Sequence, residues 1–302
     1  MISSDNPKMI YKYASSRLDT PEHLSALVDE NGALVADDYD KAELLRRHFA
    51  SSYPNADELS SRNQRPGPPL NVTPDISYLD SVDTSASNLS YHLAKLKNSS
   101  APSPDDIPAA FLKLCGYEVC VPLSIIFERT FQYGDIPDVF RRALVVPIHK
   151  KGDRTKVENK RNVSLTSAAC KLFGSVIADA VLSNASRQNL LCPEQFGYRP
   201  KYSCTLQLLC CLHDYATFLN NNDAFDIIFF DFKSAFELTT HDKLLECLPS
   251  LGVGPKIVQW FRSFLSGRSF RVLCKHTRTI VSVINALSPR WPLPSLRWSL
   301  PE

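Results

Sequence analysis

Asp231 is the residue whose surroundings most clearly suggest chemistry. It ends an apolar run, Ile227 to Phe230, that predicts a buried strand over residues 226–232. A carboxylate at the end of such a strand can hold Mg²⁺, because the open strand end leaves room for water and phosphate oxygens. The same aspartate can instead cap the next helix. Taken alone, the segment favours the capping role over metal binding.

A second segment with chemical potential is basic. Residues 1–110 carry 16 acids and 10 bases, whereas residues 111–302 carry 24 bases and 16 acids. Eight of those bases, against two acids, fall between Arg141 and Arg161. Such a local excess of positive charge is compatible with phosphate binding. A solvated basic surface is the alternative.

Hydrophobic periodicity predicts a helix-rich α+β chain with a small sheet. The predicted helices cover residues 36–50, about 89–96, from about 107, 121–133, 167–184, 205–219, 241–249 and 255–265. The predicted strands cover residues 143–148, 226–232 and 269–274, and a turn is expected over 195–201.

Composition suggests three parts. Residues 1–80 are predicted to form an N-terminal helical segment and a proline-rich linker, and residues 81–280 the main domain. Residues 281–302 show no periodicity and are predicted to be a disordered or unrelated tail.

The sequence shows no apolar run long enough for a membrane helix and no signal peptide. Its nine scattered cysteines include no Cys-x-x-Cys pair, which favours reduced thiols over disulfides or zinc. We therefore expect a cytoplasmic or nuclear protein that is neither secreted nor inserted in a membrane.

Six short motifs in a fixed order resemble the reverse transcriptases of non-LTR (LINE-type) retrotransposons. The resemblance covers about residues 30–280. The matching segments are Lys41–Phe49, Ser103–Lys113, Arg142–Gly152, Lys160–Ser167, Glu194–Arg199 with Ser203-Cys-Thr, and Asp231–Glu237 followed by His241-Asp-Lys-Leu-Leu.

This resemblance implies a partial right-hand polymerase, with fingers and an incomplete palm. The family's reaction is attack of a DNA primer's 3′-hydroxyl on the α-phosphate of a deoxynucleoside triphosphate, directed by an RNA template. Two Mg²⁺ ions lower the pKa of the nucleophile and stabilise the leaving oxygens.

The resemblance also assigns roles to individual palm residues. Asp231 matches the first of three metal-binding carboxylates, and the carbonyl of Phe232 would be a backbone ligand of the metal. Phe236 matches the aromatic gate that excludes a ribose 2′-hydroxyl, although such a ring can equally be plain core.

The matching finger residues are basic. Lys150, Lys151 and Arg161 correspond to positions that hold the triphosphate, and arginine can grip two phosphate oxygens at once. The residues that match a segment near the template are Gln195, Gly197 and Arg199, for which a structural role is an equal alternative.

The chain departs from the family pattern in ways that affect activity. No G-x-P-Q-G and no Y-A-D-D follows Asp231, Asn162 stands where a proline is expected, and Glu237 replaces aspartate. We therefore expect a truncated polymerase segment that binds Mg²⁺ weakly or not at all and is catalytically incomplete. The alternatives are a non-catalytic nucleic-acid-binding remnant, or a translated relic without selected function.

Overall fold

The structure, a computed structural model, describes residues 24–51, 77–98, 103–221, 224–231 and 241–274, and the backbone of 284–285. The described chain is α+β and helix-rich, as predicted. The elements are β1 Leu27–Val28, β2 Leu34–Val35, α1 Asp38–Ser51, α2 Ala86–Lys95, α3 Ala109–Cys115, α4 Tyr117–Tyr133, α5 Asp138–Arg141, β3 Arg142–His149, β4 Lys160–Leu165, α6 Ala168–Arg187, α7 Cys204–Asn220, α8 His241–Cys247, α9 Pro255–Leu265, β5 Ser269–Val272 and β6 Ile284–Asn285. Short 3₁₀ turns lie at Val157–Asn159 and Leu248–Leu251.

The main sheet has the strand order β4-β3-β5-β6. β3 and β4 form an antiparallel hairpin, and β5 runs parallel to β3 on its other side. Because β3 and β5 are separated by the helices α6 to α9, their pairing joins distant parts of the chain.

Serine caps explain where several helices begin. The Ser85 hydroxyl accepts the backbone N–H of Asn88, the Ser167 hydroxyl that of Cys170, and the Ser203 hydroxyl that of Leu206. These bonds satisfy donors that the first helical turn leaves unpaired. At the other end, α4 stops at Gly134, which adopts a left-handed conformation with φ of 69°.

A helical core holds most of the buried apolar side chains. Phe127 of α4 and Phe173 of α6 stack with ring centroids 4.1 Å apart. Trp260 of α9 meets Phe173 edge to face at 5.2 Å, and its indole N–H donates to the buried hydroxyl of Thr130. This bond supplies the partner that a buried indole N–H requires.

A second core lies between α1 and the sheet. Leu45 and Phe49 of α1 are buried with Val145 of β3 and Phe270 of β5, and Val157 closes the same cluster. Helix α1 therefore covers one face of the sheet that contains the β3–β4 hairpin.

Most predicted elements are confirmed, but the strand predicted over residues 226–232 is wrong for the residues the structure describes. Residues 224–231 form no regular element, and Phe229 and Phe230 are 85% and 86% exposed. A strand forms only by pairing, and no described strand lies beside this segment. The run has the apolar composition of a buried strand, but no described strand is available to pair with it.

An exposed apolar surface accompanies that segment. None of the side chains of α7 is buried, although the helix includes Leu208, Leu212 and Phe218. Phe225 packs back on α7, with its ring 5.5 Å from that of Tyr215.

Helix α6 is long and apolar enough to cross a membrane. Helices α3 and α4, which meet at a 110° bend, would also be long enough if the two together formed one span. More than half of the apolar window of α6 is buried inside the described structure. The buried core helices of soluble proteins have the same length and apolar character.

We expect Thr130→Val to lower the free energy of unfolding by about 1–3 kcal/mol, because it leaves the buried indole N–H of Trp260 without its partner. Thr217→Val on the exposed helix α7 is the matched control, since its hydroxyl bonds only the carbonyl of His213. The control should change stability by less than about 0.5 kcal/mol. Denaturant unfolding measures both, and equal effects would contradict the role of the Trp260–Thr130 bond.

A buried histidine links α2 to α6. His92 is 6% exposed, and its Nδ1 lies 3.2 Å from the hydroxyl of Ser175. Burial lowers the pKa of His92, while Asp179, 3.8 Å from Nε2, raises it and Lys95 lowers it further. The neutral imidazole is therefore the form that the fold accommodates.

The stability of the protein should consequently fall in mild acid. Because the unfolded chain binds the His92 proton more readily than the folded chain, stability should decrease as the pH falls through 6.5 and level off below the folded-state pKa. The slope should reach at most about 1.4 kcal/mol per pH unit for this group. His92→Gln should flatten it in unfolding measurements from pH 8 to 5. His48, whose pKa burial also lowers, should leave a residual slope of the same sign.

Candidate phosphate-binding site

The β3–β4 hairpin brings Lys150 and Arg161 to one face of the sheet. Ile148 pairs directly with Arg161, and the ladder continues through the bond from Lys150 N–H to the Asn159 carbonyl, 2.8 Å. Residues two apart on a strand point to the same face, so Lys150 shares the face of Ile148 and Arg161. Diagonal neighbours of this kind lie about 7–8 Å apart, within reach of one polyphosphate.

The turn between the strands is held by its own side chains. Asp153 accepts hydrogen bonds from the backbone N–H and the hydroxyl of Thr155, which lower the pKa of that carboxyl. The amide of Asn159 donates to the Asp153 carbonyl at 2.9 Å. Gly152 adopts φ of 81°, and a Cβ there would approach the Asn159 amide to 3.0 Å. These contacts give the basic turn one defined shape.

Residues far away in sequence fasten the same turn. The Val28 N–H donates to the Thr155 carbonyl at 2.9 Å, and the Ser25 hydroxyl donates to the Arg154 carbonyl at 3.0 Å. His48 of α1 lies close enough to Glu158 and Lys150 for both charges to act on its pKa, which burial chiefly lowers. The N-terminal region thus positions the turn.

The three cations predicted to bind phosphate are exposed. Lys150, Lys151 and Arg161 all face solvent, and no carboxylate of the described residues lies within 4 Å of them. Lys160, in contrast, is 5% exposed on the opposite face and belongs to the structural interior. This face of the hairpin therefore carries exposed positive side chains on an ordered backbone.

The predicted template segment forms a compact loop. The Gln195 amide donates to the Gly197 carbonyl at 3.3 Å, and the Arg199 guanidinium donates to the Cys192 carbonyl at 3.2 Å. The three predicted residues thus lie in one loop, and their role toward a template stays a prediction.

Asp231 is placed differently from the expectation. It is exposed at the end of an irregular segment rather than at the end of a strand, for the reason given above. Phe232 and Phe236 lie outside the described residues. The predicted roles of all three stay predictions.

The described residues do not by themselves fit a divalent metal. No group of three His, Cys, Asp or Glu side chains among them stands close enough to hold an ion, and Asp231 supplies a single exposed carboxylate. Mg²⁺ is six-coordinate and is usually held by one or two carboxylates with waters and substrate phosphates, so Asp231 could hold it only together with ligands beyond the described residues.

Sequence reasoning missed β4 and the contacts that order the turn. The segment Lys160–Leu165 begins with three polar residues, which hides its strand character. The Gly152-Asp153 pair is a turn signal between two extended segments and could have revealed the hairpin.

The sequence pattern of the family described as "Reverse transcriptase (RNA-dependent DNA polymerase)" matches residues 148–285. This range includes the basic turn, the 195–203 loop and Asp231.

Curated relatives extend the match beyond that range. "Probable RNA-directed DNA polymerase from transposon BS" of Drosophila melanogaster is 25% identical over 63% of this chain and 21% of its own length. "RNA-directed DNA polymerase from mobile element jockey" of Drosophila funebris is 26% identical over 66% of this chain and 22% of its own length. The X-element polymerase of D. melanogaster is 22% identical over 82% of this chain and 27% of its own length.

The chain spans about a fifth to a quarter of the length of these relatives. The resemblance drawn from the ordered motifs is confirmed by both comparisons. Residues 148–285 thus match the reverse transcriptase family pattern, and the chain is similar to RNA-directed DNA polymerases of Drosophila mobile elements.

Proposed function

We propose that this chain contributes the fingers and part of the palm of a right-hand RNA-directed DNA polymerase, whose partners are an RNA template, a DNA primer and deoxynucleoside triphosphates. The observation that carries the proposal is the pairing of Ile148 with Arg161, which puts Lys150 and Arg161 on one exposed face inside the matched range. A cytoplasmic or nuclear location remains part of the proposal.

In this proposal the hairpin holds the triphosphate. Arg161 offers a planar guanidinium that can bond two oxygens, and Lys150 and Lys151 offer compact charges beside it. The ordered turn lowers the cost of binding, because the backbone beneath the cations is already fixed by Asp153 and Asn159. Among the described residues, no carboxylate lies within 4 Å of these three cations to compete with the ligand.

The palm contribution is one carboxylate and one ring. Asp231 would be a metal ligand together with the Phe232 carbonyl, and Phe236 would gate the ribose. The family generally uses divalent metal ions, and Mg²⁺ is the proposed one. Because Asp231 matches one of the three carboxylates that the family uses, we propose that these 302 residues by themselves bind substrates without completing the reaction.

A non-catalytic nucleic-acid-binding remnant is the second candidate. The observation that favours it is an exposed basic hairpin in a structure whose described residues contain no cluster of three metal-ligating side chains. Binding without chemistry needs only the hairpin.

The 302-residue protein should bind a fluorescent deoxynucleoside triphosphate more tightly than the matching uncharged nucleoside. Replacing Lys150, Lys151 and Arg161 together by Ala should weaken triphosphate binding at least about tenfold, because charge-assisted bonds to phosphate are lost. Fluorescence polarisation at low salt measures both.

The matched control replaces Lys97, Lys256 and Arg262 by Ala. It removes the same amount of positive charge, also two lysines and one arginine, from exposed positions on other parts of the fold. This variant should bind triphosphate like the wild type. Equal weakening in both triple variants would show a non-specific charge effect and contradict the hairpin as the site.

Primer extension on an RNA template with Mg²⁺ and deoxynucleotides should show no product above background. The reason is that Asp231 is the one carboxylate present of the three that the family uses. Product that disappears in Asp231→Ala would prove the site complete and contradict this part of the proposal.

Binding to labelled single-stranded RNA should weaken steeply with salt. The log–log slope should be about −0.7 per phosphate contact, with affinity on the order of micromolar or poorer at physiological salt. The Lys150, Lys151 and Arg161 triple variant should have a shallower slope, whereas Asp231→Ala should bind unchanged or slightly tighter. Identical slopes for wild type and triple variant would mean that the hairpin is only solvated surface.

A further inference from the structure

We propose that the 196–202 loop is a stacking platform for a base of single-stranded nucleic acid, with Tyr198 and Tyr202 as the contact rings. This inference rests on the proposed function, since it requires that the chain binds a nucleic acid. It goes beyond that function by assigning a base-contacting role to two residues that the hairpin does not involve.

A tight turn builds one half of the platform. The Tyr202 N–H bonds the Arg199 carbonyl at 3.1 Å, and Pro200 and Lys201 occupy the two central positions. Lys201 has φ of 68°, the positive value that the third position of a type II turn requires. Glycine or asparagine ordinarily takes this position, so the lysine is held there at some cost.

The turn places a cation over a ring. The Arg199 guanidinium carbon lies 4.3 Å from the centroid of the Tyr202 ring, and its NH1 donates to the Cys192 carbonyl. The edge of Phe196 supports the same ring, at a centroid distance of 5.3 Å and an interplanar angle of 69°. Tyr202 is therefore fixed in orientation, yet 36% exposed.

Tyr198 forms the other half of the platform. It has φ of 67°, a rare conformation for an aromatic residue, and is 42% exposed. Strained residues of this kind persist where the surrounding structure enforces them, and they concentrate at functional sites. Two such residues, Tyr198 and Lys201, fall within four positions of one loop.

The chemistry of the loop fits a nucleic acid. Proteins bind single strands by combining aromatic rings, on which bases stack, with basic groups that follow the phosphates. Arg199 and Lys201 supply the basic groups between the two exposed rings, and Glu194 is the one acid from Cys192 to Ser203. Because every base has a flat face, such a platform discriminates base from backbone but hardly one sequence from another.

The test compares two labelled strands of equal length, oligouridylate and an abasic strand with the same number of phosphates. The wild-type protein should bind oligouridylate about 5-fold or more tightly than the abasic strand, as expected for stacking of at least one base. Replacing Tyr198 and Tyr202 together by Ala should remove that preference. Replacing both by Phe should retain it, because stacking needs the ring and not the hydroxyl.

Tyr133→Ala is the matched control. Tyr133 is 66% exposed and also lies beside an arginine, with the Arg129 guanidinium carbon 5.9 Å from its ring, but it sits at the end of α4 outside the loop. This variant should keep the preference. A strand carrying 5-iodouridine should photocrosslink to Tyr198 or Tyr202, and peptide mass spectrometry should locate the adduct.

The outcomes separate this inference from the proposed function. Equal affinity for both strands, or a preference that survives in the double Ala variant, overturns the stacking platform. If binding nevertheless stays sensitive to salt and to Lys150, Lys151 and Arg161, the proposed function stands alone. If neither strand binds, both proposals fail.

Discussion

The pairing of β3 with β4, and the burial of its inner face under α1, is the interaction on which the candidate site depends. Leu45 and Phe49 cover Val145 and Phe270, while Val157 fills the space beneath the turn. The resulting burial offsets the entropy of ordering a turn that carries several positive charges. Without that cover the same residues would be a basic loop with no defined geometry.

In the basic hairpin, some of the positively charged side chains are buried and others are exposed. Lys160 and Arg161 are adjacent, yet Lys160 is buried and Arg161 is exposed, because successive residues of a strand point to opposite faces. A shift of register by one residue would exchange them. The ladder from Leu144 to His149 therefore determines which of the two cations faces solvent.

The exposed apolar surface of α7 and residues 227–230 contrasts with the packed helical core. Phe173 of one helix contacts Phe127 and Trp260 of two others, and the three rings exclude water. Ile228, Phe229 and Phe230 are as apolar, but they remain in contact with solvent in the described chain. Burial here depends on available neighbours as much as on side-chain chemistry, and no described strand pairs with residues 227–230.

The sequence by itself determined most helices, the α+β class and the resemblance to reverse transcriptases, because periodicity and ordered motifs are local signals. It also identified Lys150 and Arg161 as candidates. Only the tertiary structure decided that the two share a face, since this follows from the pairing of β3 with a polar-looking β4. It likewise decided that residues 226–231 are not a strand, because strand formation requires a partner that no local pattern can supply.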